Sequence, residues 1–287
     1  MSRIDEALRR RDPDVQPPAG RPGQTVFEPA WPVASEHKSE KGDRGAEMGV
    51  AHIGHASAVR FSAKWGARLV NSPESDPGLV EQFRRLAGTL HKARRLNGLR
   101  SVMVTSATSG DGKTLTAVNL ALVLPGSFNS EVLLIDADLR RPSIPVGDFG
   151  QDAGLGEALS AKTEQKLALV RIAPRLTLIP AGQPLSNSIG AVTSPRMQHI
   201  IEEAAERYDW VILDAPPVGL TTDARLLSEF VGGTLFVVRA GQTQHRLVSQ
   251  AIAGLGREHI LGVVLNGIEK SGDDAGYYDP HIQGKRP

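Results

Sequence analysis

Residues 106–114 have the composition and spacing of a phosphate-binding loop. The strand-like segment 101–105 leads into the run SATSGDGKT, and a helical pattern follows it. Glycines permit a tight turn in which successive backbone N–H groups point at one anion. A helix that starts at the lysine adds its partial positive charge. This P-loop predicts that Lys113 contacts the β- and γ-phosphates of ATP and that the Thr114 hydroxyl binds Mg²⁺.

The predicted nucleotide contacts extend on both sides of the lysine. One position departs from the general pattern, because Ala107 stands where the pattern begins with glycine. A chance glycine-rich turn before a helix is the alternative, but the strand, loop and helix occur in the required order. The residues predicted to bind the nucleotide here are Ser109, Gly110, Asp111, Gly112, Lys113, Thr114 and Leu115.

Carboxylates follow two further apolar runs. Asp136 ends the run 132–136 and Asp138 comes two residues later, while Asp214 ends the run 210–214. A carboxylate at the end of a buried strand is unfavourable unless it meets a cation or a hydrogen-bond donor. Capping of the next helix would explain either cluster alone. Together with the P-loop, these strand ends favour a nucleotide site in which Mg²⁺ supplies the positive charge.

Apolar runs alternate with helical patterns from Leu79 onward. Runs that are apolar on both faces are typical of buried parallel strands, and strand–helix alternation predicts a doubly wound α/β fold with a mostly parallel sheet. Ligands of such folds bind at the carboxyl ends of the strands. The predicted strands are 101–105, 132–136, 176–180, 210–214, 234–238 and 260–266, and the predicted helices lie near 79–90, 113–124, 195–207, 222–230 and 243–256.

Composition divides the chain into three parts. Residues 1–78 are rich in proline and glycine and are expected to be mostly disordered, with one short helix at the N-terminus. Residues 79–270 form the predicted nucleotide-binding domain. Residues 271–287 are expected to be a flexible tail that carries Tyr277 and Tyr278.

Charge and cysteine usage exclude several classes of protein. The net charge is +1, so no nucleic-acid partner is expected. There is no cysteine, which excludes disulfides and thiolate sites and fits a reducing compartment. No apolar run reaches the roughly 18 residues that span a bilayer, and no signal-peptide core is visible. We therefore expect a soluble, cytoplasmic protein.

The three acidic and glycine-rich segments together resemble the bacterial tyrosine kinases of capsular and exopolysaccharide biosynthesis, over residues 79–270. That family has a P-loop domain of the deviant Walker group, to which MinD-like ATPases also belong. Its second motif, Asp-x-Asp-x-Arg, matches Asp136, Asp138 and Arg140, and its Walker B motif matches Asp214. The family often has alanine at the position of Ala107.

The resemblance implies ATP- and Mg²⁺-dependent phosphorylation of tyrosine. Because a phenol titrates near pH 10, only about one tyrosine in a thousand is ionised at pH 7, and a carboxylate acceptor for its proton is useful. Asp138 is the predicted acceptor. Asp136 and Asp214, with Thr114, are the predicted magnesium ligands. The predicted catalytic residues are thus Lys113, Asp136, Asp138 and Arg140, and Asn266 is predicted to lie by the adenine.

Relatives of this kind end in many tyrosines that neighbouring subunits phosphorylate, whereas this chain has three tyrosines in all. Tyr277 and Tyr278 are the predicted phosphoacceptors, although an inert tail is the alternative. Tyr208 precedes the Walker B strand and is expected to be structural.

The resemblance also implies partners. Such proteins act beside a transmembrane chain-length protein of polysaccharide export, which places this chain at the inner face of the membrane. Self-association is expected through the helical region 79–100, where Glu81 and Arg84 match the oligomerisation motif but Ala87 replaces its second arginine.

Two other functions remain open. One is a switch ATPase of the MinD and ParA kind, which carries a signature lysine where this chain has Thr108. The other is an ATP-binding regulator of polysaccharide export that has lost most of its catalysis. Both would keep the P-loop without phosphorylating tyrosine.

Overall fold

The computed structural model describes residues 65–144, 154–161, 167–219 and 221–268. Within them, seven strands and seven α-helices follow one another along the chain. The strands are β1 (Ser101–Ser106), β2 (Val132–Asp136), β3 (Val170–Ala173), β4 (Leu176–Ile179), β5 (Trp210–Asp214), β6 (Thr234–Arg239) and β7 (Ile260–Asn266). The helices are α1 (Pro77–Asn97), α2 (Lys113–Phe128), α3 (Leu155–Ser160), α4 (Ser188–Val192), α5 (Pro195–Arg207), α6 (Asp223–Ser228) and α7 (His245–Leu255).

The strands form one sheet in the order β3-β4-β2-β5-β1-β6-β7. All neighbouring strands are parallel except β3 and β4, which form an antiparallel pair at one edge. The predicted doubly wound, mostly parallel α/β fold is therefore confirmed. Because β2, β5 and β1 are adjacent and parallel, their carboxyl ends lie side by side at the same end of the central strands, which is where such folds bind ligands.

Helices cover both faces of the sheet, and successive residues of a central strand point to opposite faces. In β1, Val102 and Val104 join the apolar core beneath α1 and α2. Met103, between them, joins the core beneath α5, α6 and α7. Every residue of β1, β2 and β5 is buried, which explains why these segments are apolar without alternation.

All six predicted strands are present, with ends within one residue of the prediction. The predicted helices are also present, and α2 continues past Pro125 to Phe128. Strand β3 and helices α3 and α4 were not predicted. They have four, six and five residues, too few to show a clear apolar period.

Packing begins before Leu79, where the sequence placed the start of the domain. The Leu69 side chain is buried, and the Val70 N–H donates to Asn119 Oδ1 of α2 at 3.0 Å. Asn119 Nδ2 in turn donates to the Arg68 carbonyl at 2.8 Å. Both polar and apolar contacts hold this segment, which is too short to show an apolar periodicity. The predicted N-terminal helix and the tail 271–287 lie outside the described residues.

Among the helices that the structure describes, none has the length and apolar character needed to cross a membrane.

Candidate nucleotide site

The P-loop joins β1 to α2, and its glycines adopt conformations that other residues avoid. Gly110 and Gly112 have φ of 90° and 100°. A Cβ on Gly112 would also overlap the side-chain amide of Asn266. Helix α2 begins at Lys113, so its N-terminal N–H groups face the loop as predicted.

Lys113 is buried among carboxylates. Its Nζ donates to Asp138 Oδ2 at 3.1 Å and to Asp214 Oδ1 at 3.4 Å. Burial alone would lower the pKa of Lys113, but the charges of Asp214 and Asp138 outweigh burial and raise the pKa above its usual value. Lys113 therefore remains an ammonium, which is the form that binds phosphate.

Asp136 and Asp214 are direct neighbours at the ends of β2 and β5. Burial, with the charge of Asp214, raises the pKa of Asp136 to about 7, although the Ile144 and Ser143 N–H groups donate to it. Burial also raises the pKa of Asp214, against the opposing charge of Lys113. These two buried carboxylates and a third, Asp138, share the one ammonium that contacts them among the described residues, so this end of the sheet is short of positive charge.

The oxygen atoms at these strand ends fit a magnesium ion. Asp214 Oδ2 is buried and has no hydrogen-bond partner among the described residues. The Thr114 hydroxyl lies nearby, 3.2 Å from Lys113 Nζ and 2.9 Å from Ser143 Oγ. Within the described residues, no three acidic or histidine side chains cluster closely enough to hold a metal by themselves. Mg²⁺ suits such a site, because it usually keeps several waters and takes one or two carboxylates plus substrate phosphate oxygens.

The raised pKa of Asp136 predicts opposite pH dependence for stability and for magnesium binding. The folded-state pKa lies above the unfolded value, so this group stabilises the metal-free protein at low pH and loses that contribution as the pH rises toward 7. Mg²⁺ affinity should instead rise over the same range, because the carboxylate must deprotonate to bind. Thermal unfolding from pH 5 to 8, with and without Mg²⁺, checks both signs. A magnesium effect that does not change with pH would contradict the prediction.

The second predicted catalytic pair, Asp138 and Arg140, belongs to the segment that follows β2. The second oxygen of Asp138 accepts the Arg141 N–H at 3.2 Å. Arg140 Nε donates to Asp223 Oδ2 at 3.1 Å, and the Ser188 hydroxyl donates to the same oxygen. Asp223, at the start of α6, is buried and keeps Arg140 at the edge of the site. Sequence reasoning gave no role to Asp223 or Ser188, because only folding brings them to Arg140.

The remaining predicted nucleotide contacts divide by exposure. Ser109 and Gly110 are exposed at the tip of the loop, while Leu115 is half-buried in the first turn of α2. Asn266 Nδ2 donates to the Asp111 carbonyl at 2.9 Å, so Asn266 holds the loop, and its contact with adenine stays a prediction. Tyr208 is half-buried against the core, as expected of a structural residue. Tyr277 and Tyr278 lie outside the described residues.

Comparisons with known proteins identify relatives of this chain. A family model described as "AAA domain" matches residues 99–229. The chain is 32% identical over 203 residues to the tyrosine-protein kinase YwqD of Bacillus subtilis, covering 69% of this chain and 85% of YwqD. It is 34% identical to the tyrosine-protein kinase etk of Escherichia coli over a similar span, which is 28% of that longer protein.

Solved structures similar to this chain are also tyrosine kinase domains. The kinase domain of Escherichia coli tyrosine kinase ETK aligns with a TM-score of 0.61 at 34% identity, over 66% of this chain and 76% of that domain. The BceF tyrosine kinase domain aligns with a TM-score of 0.60 at 32% identity, over 67% of this chain and 78% of that domain. With YwqD matched over most of its length and the P-loop and acidic strand ends in place, this chain belongs to the family of bacterial tyrosine-protein kinases.

Proposed function

We propose that this chain transfers the γ-phosphoryl group of ATP to tyrosine, including tyrosines of its own tail. The observation that carries the proposal is the contact of Lys113 Nζ with Asp138 Oδ2 at 3.1 Å, beside Asp214 and Asp136. One buried cluster thus contains a cation for phosphate, candidate ligands for Mg²⁺ and a candidate acceptor for a phenol proton. Phosphoryl transfer needs little more than these groups, because its catalysis is mostly positioning and charge neutralisation.

Lys113 and Asp138 change partners when the phosphates bind. In the structure the Lys113 ammonium is shared between Asp138 and Asp214. Phosphate oxygens compete for the same ammonium, and Asp138 is then free to accept a hydrogen bond from a tyrosine. The phenol oxygen forms its bond to the γ-phosphorus as its proton passes to Asp138, and the bridging oxygen leaves with ADP.

Mg²⁺ would be held by Thr114, Asp136 and Asp214, with the two carboxylates binding directly or through water. When bound, it neutralises the charge that develops on the phosphate oxygens. Asp214 Oδ2, which accepts no hydrogen bond from the described residues, is the carboxylate oxygen left available for the ion. Arg140 would complete the cationic side of the site, with its Nε held by Asp223 and its other N–H groups making no hydrogen bond to the described residues.

Tyr277 and Tyr278 are the proposed internal acceptors. Eleven residues lie between Asn266 and Tyr278, and the twelve Cα–Cα steps that join them span about 40 Å when extended. That length exceeds the roughly 17 Å radius of gyration of a domain of this size, so a neighbouring subunit's site is within reach.

Replacing both tail tyrosines with phenylalanine should abolish self-phosphorylation and leave phosphorylation of an added tyrosine peptide intact. The wild type and the variant would be incubated with ATP–Mg²⁺ and followed by intact mass and phosphopeptide mapping. Tyr208→Phe is the matched control and should retain self-phosphorylation, because Tyr208 packs against the core.

The same assay separates the competing functions. Phosphate released into solution without any phosphotyrosine would favour a switch ATPase. Neither product would favour an ATP-binding regulator. Thr108, where switch ATPases of this group carry their signature lysine, instead donates its hydroxyl to Asp111 Oδ1 at 3.0 Å within its own loop.

Self-association through α1 is also part of the proposal. Glu81 pairs with Arg85 at 3.3 Å within the helix, and Arg84, Lys92 and Arg95 are exposed. Ala87, at the position of the motif's second arginine, is buried against the core and could not present a cation. The interface would therefore depend on the exposed cations, and Arg84→Glu should shift the sedimentation coefficient toward that of the monomer.

We further propose that the chain acts at the inner face of the membrane, beside a transmembrane chain-length protein that regulates polysaccharide polymerisation and export. The support is the family resemblance. Co-purification of the full chain with such a protein from detergent-solubilised membranes tests it, and recovery only in the membrane-free fraction would count against it.

A further inference from the structure

Three hydrogen bonds connect the P-loop to the strands at one edge of the sheet. The Thr243 hydroxyl, in the turn between β6 and α7, donates to Asp111 Oδ1 at 2.7 Å. Arg239 Nη1, at the end of β6, donates to the Gly110 carbonyl at 3.2 Å. Asn266 Nδ2, at the end of β7, donates to the Asp111 carbonyl at 2.9 Å. Elements more than 120 residues away in sequence thus hold the tip of the loop.

Two of these three hydrogen bonds end on Asp111 of the loop. It is buried, although both its neighbours are glycines and the loop tip is exposed. Its carboxylate accepts the Thr108 N–H at 2.9 Å and the Thr108 hydroxyl at 3.0 Å, as well as the Thr243 hydroxyl. Hydrogen bonds to a charged acceptor are stronger than neutral ones, so these contacts contribute more to loop geometry than ordinary turn bonds.

The Thr243 hydroxyl both donates and accepts a hydrogen bond. Besides donating to Asp111, the oxygen accepts the Arg239 N–H at 3.0 Å, and so it closes the turn that carries Arg239. A hydroxyl can donate one hydrogen bond and accept others at the same time. Serine keeps both functions, whereas valine has the shape of threonine and neither function.

We infer that Thr243 is a positioning residue for nucleotide binding, which acts through Asp111 to hold the P-loop in the shape that receives the phosphates. The inference rests on the proposed function, in which this loop binds ATP–Mg²⁺. The physical reason is preorganisation. Gly110 and Gly112 give the loop freedom that must be lost when phosphate binds, and the hydrogen bonds of Asp111 remove part of that freedom beforehand.

Calorimetric titration of the full-length protein with ADP–Mg²⁺ tests the inference. Thr243→Val should raise the Kd about tenfold, the effect of losing one hydrogen bond to a charged group, and Thr243→Ser should stay within about twofold of wild type. The KM for ATP should rise in parallel while kcat at saturating ATP changes little. Thr193→Val is the control, since its hydroxyl donates to the Ile189 carbonyl in the turn that ends α4 and contacts no residue of the P-loop.

A double-mutant cycle with Asp111→Ala shows whether Thr243 acts through that carboxylate. In the Asp111→Ala background, Thr243→Val should cause no further rise in Kd. Additive effects would overturn the inference, and so would an unchanged Kd in Thr243→Val with only a lower unfolding temperature. Failure of the wild-type protein to bind ADP–Mg²⁺ would instead reject the proposed function, and the positioning role with it.

Discussion

Lys113→Met is expected to lower tyrosine phosphorylation at least about a hundredfold, because it removes the main cation that stabilises the transferred phosphate. The structure adds a second consequence. Lys113 is the only described ammonium in contact with Asp138 and Asp214, so its loss leaves buried carboxylates without their counter-ion. Removing one partner of a buried ion pair commonly costs about 3–5 kcal/mol of stability, part of which protonation of the carboxylates can offset.

Activity and stability must therefore be measured together for Lys113→Met. Phosphate transfer to a tyrosine peptide would be assayed well below the unfolding temperature of the variant, at saturating ATP–Mg²⁺. Arg207→Met is the matched control, since the exposed Arg207 side chain pairs with Glu203 one turn earlier on α5, and such pairs within a helix contribute little. Turnover of a folded Lys113→Met protein near that of the wild type would reject the assignment of Lys113.

Asp214→Asn should lower the phosphorylation rate but raise the stability of the protein. We expect phosphorylation to fall about a hundredfold, because Asp214, which is both a proposed magnesium ligand and a partner of Lys113, loses its charge. The metal-free protein should become more stable at pH 8, because a carboxyl group whose pKa is raised on folding opposes folding once it is ionised. The reason is that Asp214 is fully buried, next to Asp136, and burial raises its pKa.

A control for which we expect the opposite change in stability lies beside the same strand. Asp209 precedes β5 at its other end, pairs with Arg94 at 2.6 Å and accepts the Glu131 N–H. Although partial burial acts in the other direction, these partners lower its pKa, so its charge stabilises the fold above pH 4. Asp209→Asn should thus lower stability at pH 8 and leave phosphorylation unchanged. If Asp214→Asn also lowered stability, the charge deficit at the site would be disproved.

Sequence alone determined the elements that carry the site. The run from Ser106 to Thr114 specifies a phosphate loop because its glycines, lysine and threonine act through local backbone geometry. Apolar runs of five to seven residues identified every buried parallel strand, and their acidic ends located Asp136 and Asp214. These features depend on neighbours in sequence, so pattern and spacing were sufficient to find them.

The tertiary structure decided which of those residues meet. The strand order places β5 between β2 and β1, and this order sets Asp214 beside Asp136 and within reach of Lys113. The contacts of Arg140 with Asp223 and of Asp111 with Thr243 join segments 83 and 132 residues apart. Such pairings follow from sheet topology, which local pattern does not encode. The P-loop is thus local in its chemistry, whereas the contacts that hold its shape and keep its lysine charged are a product of the fold.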